Sequence, residues 1–536
     1  MLTESFNLRA IENNFQKNQE SNTDKLTEWL KPGENEEKQK VLYLINTRLW
    51  INELSEKYNQ KITISTIPDA EWKDKFEQYD IFWFMGIYQP SEAGLVNAKK
   101  YSDQYRYALP NINSETDIVA SPFAIPDYSP NPLIAKDWNE WDKMVDKLHL
   151  NNKKVYLDFV GNHTAIDHPW AKSHPEYFIQ GDEYQYKNNP NFYIEVENDK
   201  GEKKYLAHGK DPNFPEWSDT LQLNYAQPEV QKIMEEQLLI LADHSDGLRC
   251  DMAMLLNSST FVRTWGWCLN DDQKNYLKQN EFWKKVIPKV KEKAKNNGKE
   301  NFEFMAEAYW EKEELGESFD YIYCDEFYKN ICKTAHGESS DIIKNQIYFL
   351  ADLPKTRRHY KDVIYIENHD EERAIKSMGR DFSKAAVVVA SLIPNSMLMI
   401  NQGQEDGKMI RPPMQINHFP KENQDLDLKD YYQNIIDLKK TRLFKEGNWQ
   451  IVDANSTKII AQKVTSPDNK IAAIIYTNLS PDKSYGRLND VKNGHAANVY
   501  NMNDRRKIVS DQLRDGGMFI ALDSYESQIV FFEPEN

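Results

Sequence analysis

The sequence predicts an α/β protein whose main domain is a (β/α)8 (TIM) barrel, followed by a small antiparallel β domain. Short apolar runs alternate with longer amphipathic ones, eight such runs can be counted, and four of them end in a motif that carries a carboxylate. Near-continuous apolar runs separated by helical stretches are typical of parallel strands buried on both faces. Eight of them indicate a closed barrel, in which functional groups gather at the carboxyl ends of the strands.

The eight predicted strands follow one another at intervals that leave room for helices. In chain order they are VLYLIN (41–46), DIFWFMG (80–86), KVYLDFV (154–160), DGLRCDM (246–252), FEFMAEA (302–308), FDYIYC (319–324), DVIYIEN (362–368) and NSMLMINQG (395–403). Amphipathic stretches such as DWNEWDKMVDKLHLNN and PEVQKIMEEQLLILADHS precede the third and fourth strands, as a βαβ alternation requires.

Composition shifts along the chain predict the domain boundaries. Residues 1–40 are polar and read as an N-terminal extension, and residues 41–446 contain the barrel. Residues 164–225, rich in Pro, His, Asn, Asp and aromatics, interrupt the alternation and indicate an excursion over the rim between the third and fourth strands. Residues 447–536 alternate β-like runs with turns such as SPDNK and RDGG, which predicts a C-terminal β-sandwich domain.

Charge and cysteine content exclude several classes of protein. The net charge of −17 disfavours nucleic acid and anionic lipid as partners and favours a neutral ligand. No run approaches the roughly 20 apolar residues that span a bilayer. The four cysteines form no CxxC pair, so zinc and thiol redox chemistry find no support. The start, MLTESFNLRAIENNF, lacks a cationic head followed by an apolar stretch, so a cytoplasmic, reduced protein is expected.

The candidate catalytic residues are Asp251, Glu307 and Asp370, each at the end of an apolar run. Arg249 and Asp251 are two apart in a strand and therefore point to the same side. A neighbouring guanidinium favours an ionised carboxylate, which can act as a nucleophile. The apolar run FMA before Glu307 favours a protonated carboxyl group, which suits a general acid. Helix capping or surface pairing explains a single such carboxylate, but explains the whole set with Arg249 poorly.

Three further residues stand near the same strand ends. Asp158 ends the run VYLDF and is expected to pair with Arg249 and fix its orientation. His163 and His369 follow strands in polar loops, where a histidine is more often simply hydrogen-bonded. Beside carboxylates at the same rim, both are candidate donors to hydroxyl groups of a ligand.

These motifs resemble the four signature regions of the α-amylase family of glycoside hydrolases (glycoside hydrolase family 13). DFVGNH matches the first region, DGLRCD the second, the run that ends at Glu307 the third and ENHD the fourth. The resemblance implies that Asp251 is the nucleophile and Glu307 the general acid/base, and that Asp370 stabilises the transition state. It also implies that Arg249, His163 and His369 position the nucleophile and the sugar. Asp158 and the aromatic Tyr309, which lies just after Glu307, are further candidate substrate-binding residues.

The resemblance therefore predicts a retaining glycoside hydrolase that acts on α-glucosidic bonds of maltooligosaccharides or related α-glucans through a covalent glycosyl-enzyme. Three alternatives stay open at this stage. The same site could serve an α-glucan transglycosylase or a glycosyl phosphorylase, and the chain could be a catalytically silent carbohydrate-binding relative.

The residues after Asp251 depart from the family pattern. Many members carry Lys and His where this chain has Met254 and Leu255, and those positions help to build a calcium site. We predict no cofactor and no catalytic metal, because the three carboxylates and Arg249 form a self-sufficient set of nucleophile and acid. A structural calcium ion, if bound, is expected near Asn162, which matches a calcium-ligand position in the family.

Overall fold

The computed structural model describes residues 28–33, 40–352, 359–491, 498–503, 507–508, 513–514 and 517–534. Most of the predicted extension 1–40 lies outside these ranges. The chain divides into two compact units. One comprises Tyr43–Tyr323 and Pro412–Lys421, and the other comprises Met1–Leu42, Cys324–Arg411 and Glu422–Asn536.

Eight strands close into a barrel in which neighbours in the chain are neighbours in the sheet. They are β1 (Val41–Asn46), β2 (Ile81–Met85), β3 (Lys154–Phe159), β4 (Gly247–Cys250), β5 (Glu303–Ala306), β6 (Tyr321–Tyr323), β7 (Lys361–Ile364) and β8 (Ser396–Asn401). Almost every strand position is buried, which is why the strands appear in the sequence as unbroken apolar runs. Seven of the eight predicted runs contain one of these strands, and the run 362–368 overlaps β7, which begins one residue earlier, so the predicted barrel is confirmed.

Helices separate the strands. In the first unit they are Thr47–Lys57, Asp69–Gln78, Glu92–Lys99, Trp138–His149, Trp170–Ser173, Glu183–Asn188, Pro228–Asp243, Ser258–Trp265, Asp271–Gln279, Phe282–Asn296 and Lys312–Leu315. In the second they are Asp325–Ala335, Asp341–Asp352, Ala374–Met378, Arg380–Ser391, Leu426–Lys440 and Arg442–Glu446. None of the described helices is long and apolar enough to cross a membrane.

The helix before β3 illustrates why these segments form. Asp137 caps it by accepting a hydrogen bond from the backbone N–H of Glu140. Trp141, Val145 and Leu148 then recur at helical spacing on its buried side. The apolar stripe packs on the barrel while charged residues face outward, so the local sequence and the tertiary contact favour the same structure.

The register of β3, β4 and β5 positions the candidate site. Arg249 on β4 lies beside Asp158 on β3 and beside Met305 on β5. One step beyond the strand ends, the backbone N–H of Asp251 donates to the carbonyl of Phe159 at 2.9 Å. The N–H of Glu307 donates to the carbonyl of Cys250 at 3.0 Å. The backbone ladder therefore places the two carboxylates side by side at the carboxyl end of the strands.

The segment between β3 and β4 carries small sheets of its own. His163–Ala165 pairs with Thr220–Gln222, with His163 opposite Gln222. A second sheet of three strands contains Gln180–Gly181, Lys203–Ala207 and Tyr193–Glu197. The segment thus begins just after β3, and its strand Thr220–Gln222 pairs with His163–Ala165 before the helix Pro228–Asp243 leads to β4.

The C-terminal strands form two antiparallel sheets. The strands are β9 (Asn448–Val452), β10 (Ile459–Thr465), β11 (Ala472–Asn478), β12 (Ser484–Leu488), β13 (Asn498–Asn501), β14 (Lys507–Ile508), β15 (Leu513–Arg514), β16 (Gly517–Leu522) and β17 (Ser527–Phe532). Six strands form one sheet, in the order β9-β10-β11-β17-β13-β14, and three form the other, in the order β12-β16-β15. A buried cluster that includes Ile474, Val530, Met518 and Ile520 joins residues of both sheets. The predicted antiparallel β domain is confirmed.

Candidate active site

A single guanidinium group holds three carboxylates. Arg249 is fully buried, and its Nη1 donates to Asp251 Oδ1 at 2.8 Å and to Asp158 Oδ1 at 3.3 Å. Its Nη2 donates to Glu307 Oε2 at 2.5 Å. Asp158, Asp251 and Glu307 are themselves buried. The structure therefore brings together four of the residues that the sequence singled out, within reach of one side chain.

The charge of Arg249 is maintained by its neighbours. Burial by itself lowers the pKa of the guanidinium, but the negative charges of Glu307, Asp251 and Asp158 outweigh that effect and raise the pKa well above its usual range. Aromatic rings complete the surroundings, with Trp83 at 5.0 Å and Phe123 at 5.3 Å from the guanidinium carbon. Arg249 is thus a permanent cation that orients each of the three carboxylates.

Glu307 lies in a polar setting, and the predicted apolar setting is wrong. Besides Arg249, the backbone N–H of Met252 donates to Oε2 at 3.0 Å. The hydroxyl of Tyr309 donates to Oε1 at 2.8 Å. The apolar residues before Glu307 are buried, but its own side chain meets donors from β4, from the turn after β4 and from its own loop. Both oxygens of the carboxyl group are therefore oriented by hydrogen bonds.

Met252 is a functional position that residue type did not reveal. It follows Asp251 directly and adopts a left-handed conformation with φ of +42°. A non-glycine residue rarely adopts this conformation, and such strain concentrates at functional sites. Here it turns the backbone N–H toward Glu307. Methionine carries no sequence signal for a left-handed backbone, so only the structure identifies this contact.

His163 is buried and neutral beside this cluster. Its Nε2 lies 3.2 Å from the carbonyl oxygen of Phe123, the residue whose ring packs against Arg249. Its ring lies 5.1 Å from that of Trp217. Burial lowers the pKa of His163 to about 4, although the charge of Asp219 and the Phe123 carbonyl act in the opposite direction. At neutral pH this histidine is therefore an uncharged hydrogen-bonding group.

His369 and Asp370 lie together at the end of β7, in the second compact unit. His369 Nε2 is 3.0 Å from Asp370 Oδ2, and the histidine is buried while the Asp370 side chain is about half exposed. Asn368 Oδ1 accepts hydrogen bonds from the backbone N–H groups of Asp370 and Glu371 at 2.9 Å each. Arg411 donates to the carbonyl of Asp370. The turn that presents Asp370 is therefore tightly defined.

Glu367, which the sequence did not select as a site residue, anchors this turn. Its Oε1 accepts hydrogen bonds from Arg373 at 2.6 Å and from Asn401 at 2.8 Å. Its Oε2 accepts from the backbone N–H of Ala374 at 2.7 Å. The carboxylate is buried and paired with a buried arginine. Its hydrogen bond to Ala374 closes the loop from residue 367 to residue 374. Its position in the ENHD motif is the sequence signal that could have identified it.

The residues around Asn162 do not fit a calcium site. Asn162 Oδ1 and its carbonyl oxygen both accept hydrogen bonds from Gln222 Nε2, at 3.1 and 3.0 Å. Asn162 Nδ2 in turn donates to Gln222 Oε1 at 3.2 Å. Calcium prefers several carboxylate and carbonyl oxygens. Across the described ranges, no three His, Cys, Asp or Glu side chains gather as metal ligands. The hydrogen bonds between the side chains of Asn162 and Gln222 thus occupy the Asn162 oxygens that were expected to bind calcium.

Comparison with known proteins extends these observations. A family model for the alpha amylase catalytic domain matches residues 136–442, more than half of the chain. Alpha-amylase MalA of Haloarcula japonica is 24% identical over 269 residues, which are 50% of this chain and 34% of that protein. Alpha-amylase 3 of Dictyoglomus thermophilum is 22% identical over 392 residues, 62% of this chain and 70% of that protein.

Solved structures show the same fold. The alpha-amylase from Lactobacillus plantarum superposes with a TM-score of 0.63 at 17% identity, covering 92% of this chain and 98% of that one. The maltogenic alpha-amylase AmyB from Thermotoga neapolitana gives a TM-score of 0.62 at 16% identity, covering 91% and 98%. The match of the catalytic-domain model to residues 136–442, on a barrel that carries the four signature motifs, shows that the chain belongs to the α-amylase family of glycoside hydrolases.

Proposed function

We propose that this protein hydrolyses α-glucosidic bonds of short α-glucans with retention of configuration, through a covalent glycosyl-enzyme. The observation that carries the proposal is the Arg249 guanidinium, which holds Asp251 and Glu307 on its two terminal nitrogens at 2.8 and 2.5 Å. Adjacent nitrogens of one guanidinium keep two carboxyl groups close together. Retaining glycosidases need their two carboxyl groups about 5–5.5 Å apart.

In the proposed reaction the two carboxyl groups take different parts. An oxygen of Asp251 attacks the anomeric carbon while Glu307 gives its proton to the glycosidic oxygen, and the bond to the leaving sugar breaks. Water then attacks the same carbon, Glu307 takes a proton from it, and the ester bond to Asp251 breaks. Each displacement inverts the configuration, so the product keeps the α configuration.

The other residues support these two steps. Arg249 orients Asp251 and favours its ionised form, and Asp158 accepts a hydrogen bond from the same nitrogen, Nη1, which helps to fix the guanidinium. Asp370, on its anchored turn, would stabilise positive charge that develops on the sugar. His163 is neutral and its single N–H faces the Phe123 carbonyl, so its ring would pack beside the sugar without adding a charge. His369, whose Nε2 lies 3.0 Å from Asp370 Oδ2, would also contact the sugar.

Two observations support an uncharged α-glucan as substrate. The net charge of −17 disfavours anionic ligands near the chain. The relatives are named as alpha-amylases, and an oligo-1,6-glucosidase of Parageobacillus thermoglucosidasius is 23% identical over 307 residues, 50% of this chain and 52% of that protein. Maltooligosaccharides are therefore the first substrates to test.

The decisive experiment follows maltoheptaose cleavage by NMR, recording which anomer is released first. The wild-type protein should release the α-anomer. Asp251→Asn should lower turnover by several orders of magnitude while sugar binding survives, because the nucleophile is lost. Glu307→Gln should impair cleavage of glucans severely but act more mildly on an α-glucosyl fluoride, whose leaving group needs no proton.

A matched control comes from the same strand. Glu303 is a buried glutamate at the opposite end of β5, where its Oε2 accepts a hydrogen bond from Tyr156 at 2.7 Å. Glu303→Gln should retain turnover, and so separates loss of a catalytic group from loss of any buried charge. Release of the β-anomer first would end the retaining mechanism and the role of Asp251. Sugar release that requires added phosphate would instead indicate a phosphorylase.

A further inference from the structure

We infer that Tyr309 is a positioning residue for the general acid: its hydroxyl places the catalytic proton on Oε1 of Glu307 and stabilises the carboxylate after that proton has left. The inference rests on the proposed function and refines it. It assigns Tyr309 to the proton transfer, through Glu307, instead of to direct contact with the sugar.

The groups that donate hydrogen bonds to Glu307 differ in whether they can also accept one. Oε2 accepts hydrogen bonds from Arg249 Nη2 at 2.5 Å and from the Met252 backbone N–H at 3.0 Å. A guanidinium and an amide N–H can donate but cannot accept. A proton on Oε2 would therefore face two donors. Oε1 meets the hydroxyl of Tyr309 at 2.8 Å, and a hydroxyl can both donate and accept. The proton that Glu307 delivers accordingly resides on Oε1.

The two half-reactions then use Tyr309 in turn. In the first, the proton moves from Oε1 to the glycosidic oxygen as the glycosidic bond breaks, and Tyr309 donates to the carboxylate that remains. In the second, Oε1 takes a proton from the attacking water while the new carbon–oxygen bond forms and the ester bond to Asp251 breaks. No other proton donor or acceptor is needed, because the water consumed supplies the proton that restores Glu307.

The fold fixes the position of Tyr309 from the residues that follow it. Trp310 Nε1 donates to Thr260 Oγ1 at 3.1 Å. Glu311 Oε2 accepts hydrogen bonds from Thr260 Oγ1 at 2.7 Å and from Asn257 at 3.2 Å. Glu311 also adopts a left-handed backbone with φ of +55°, a conformation that a non-glycine residue rarely adopts without a constraint. The helix Ser258–Trp265 thus holds the loop that carries the Tyr309 hydroxyl to Glu307.

The charges that face Glu307 stay the same when the hydroxyl is removed. The guanidinium of Arg249 contacts Glu307 directly, and Arg249 in turn interacts with Asp251, Asp158 and Tyr323. None of them changes in Tyr309→Phe. A change in the pH dependence of that variant therefore reports the hydroxyl.

The test measures kcat/KM of Tyr309→Phe against pH on a maltooligosaccharide. A hydroxyl that donates to Glu307 favours its ionised form, so losing it lets the protonated acid persist to higher pH. The basic limb of the profile should move upward by about 1 pH unit, since one hydrogen bond to a charged group shifts an ionisation constant roughly tenfold. On an α-glucosyl fluoride, kcat/KM should change much less, and KM for the glucan should stay similar.

Two controls separate this role from a structural one. Tyr58 donates to Glu71 Oε1 at 2.6 Å outside the site, so Tyr58→Phe should leave the profile unshifted. Thr260→Val removes the hydroxyl that anchors Trp310 and Glu311, and should shift the basic limb in the same direction as Tyr309→Phe. Thr260→Ser restores a hydroxyl and should restore the profile. If Tyr309→Phe fails to fold, the comparison of Thr260→Val with Thr260→Ser tests the inference instead.

The possible outcomes are distinct. An active Tyr309→Phe with an unshifted basic limb, and with KM raised equally on both substrates, would show that Tyr309 binds sugar and would overturn the inference. A wild-type protein that releases no sugar, or releases the β-anomer first, would overturn the proposed function itself. The second result concerns the wild type alone, so the two failures cannot be confused.

Discussion

Replacing Arg249 by methionine tests how much of the fold depends on one buried cation. The substitution keeps an aliphatic side chain near the rings of Trp83 and Phe123 but removes the guanidinium. Asp158, Asp251 and Glu307 lose hydrogen bonds of 3.3, 2.8 and 2.5 Å from it. All three carboxyl groups then remain buried without this counter-charge.

The expected magnitude is large and depends on pH. Removing one partner of a buried ion pair costs about 3–5 kcal/mol, out of a total stability of roughly 5–15 kcal/mol. The orphaned carboxyl groups stay protonated to higher pH in the folded variant than in the unfolded chain, where they ionise near pH 4. The folded state therefore binds more protons, and the stability of the variant falls as pH rises. The loss should be smallest near pH 4.5 and largest above pH 6.

The measurement compares urea unfolding of wild type and Arg249→Met at pH 5 and pH 8. Arg48 supplies a matched control, since it donates to the backbone carbonyls of Ala120 and Met414 at 2.7 Å each. Among the described residues no carboxylate forms an ion pair with Arg48, so Arg48→Met should lose similar stability at both pH values. A loss for Arg249→Met under about 1 kcal/mol, or one that is equal at pH 5 and pH 8, would refute this account of the charge cluster.

Three shorter predictions concern other parts of the first unit and the cysteines. The pKa of His163 is about 4 in the folded protein and about 6.5 in the unfolded chain. Protonation of His163 in the unfolded chain should therefore lower the free energy of unfolding by about 3 kcal/mol as pH falls from 6.5 to 4. In His163→Gln, the denaturant midpoint should decline less steeply over the same pH range. Because the amide pair of Asn162 and Gln222 occupies the expected metal-ligand position, EDTA should leave activity and melting temperature unchanged. Gln222→Leu, which breaks the pair, should lower the melting temperature. Inactivation by EDTA that added calcium reverses would contradict this. The four cysteines are free, so added reductant should not lower the melting temperature; a fall of several degrees would reveal a disulfide.

The sequence predicted the barrel and most of the charge cluster because simple rules apply there. Each barrel strand is buried on both faces, so its apolar run is visible without knowledge of the neighbours. Arg249 lies on β4 and Asp251 follows its last residue, so the alternation of the strand predicts that they share a side. Asp158 and Glu307 follow from the rule that functional groups lie at the carboxyl ends of barrel strands.

The remaining features depend on contacts that no local pattern encodes. The setting of Glu307 depends on a backbone N–H from Met252, 55 residues earlier in the chain. The amide pair between Asn162 and Gln222 joins residues 60 apart. Neither a left-handed methionine nor a distant glutamine has a sequence signature, so the predicted apolar setting and the expected calcium ligand could be tested only in three dimensions.

The register of β3, β4 and β5 has a consequence for redesign. Asp158 and Arg249 are ladder partners, and the backbones of Asp251 and Glu307 hydrogen-bond across the same strands. Deleting one residue within β3 or β4 would turn the following side chains to the opposite face, so these strands cannot change length. The loops that follow them are not bound by this alternation of side chains. Loop grafts chosen to alter substrate range should therefore be tolerated where they retain Asn162, His163, Met252 and the segment 309–311.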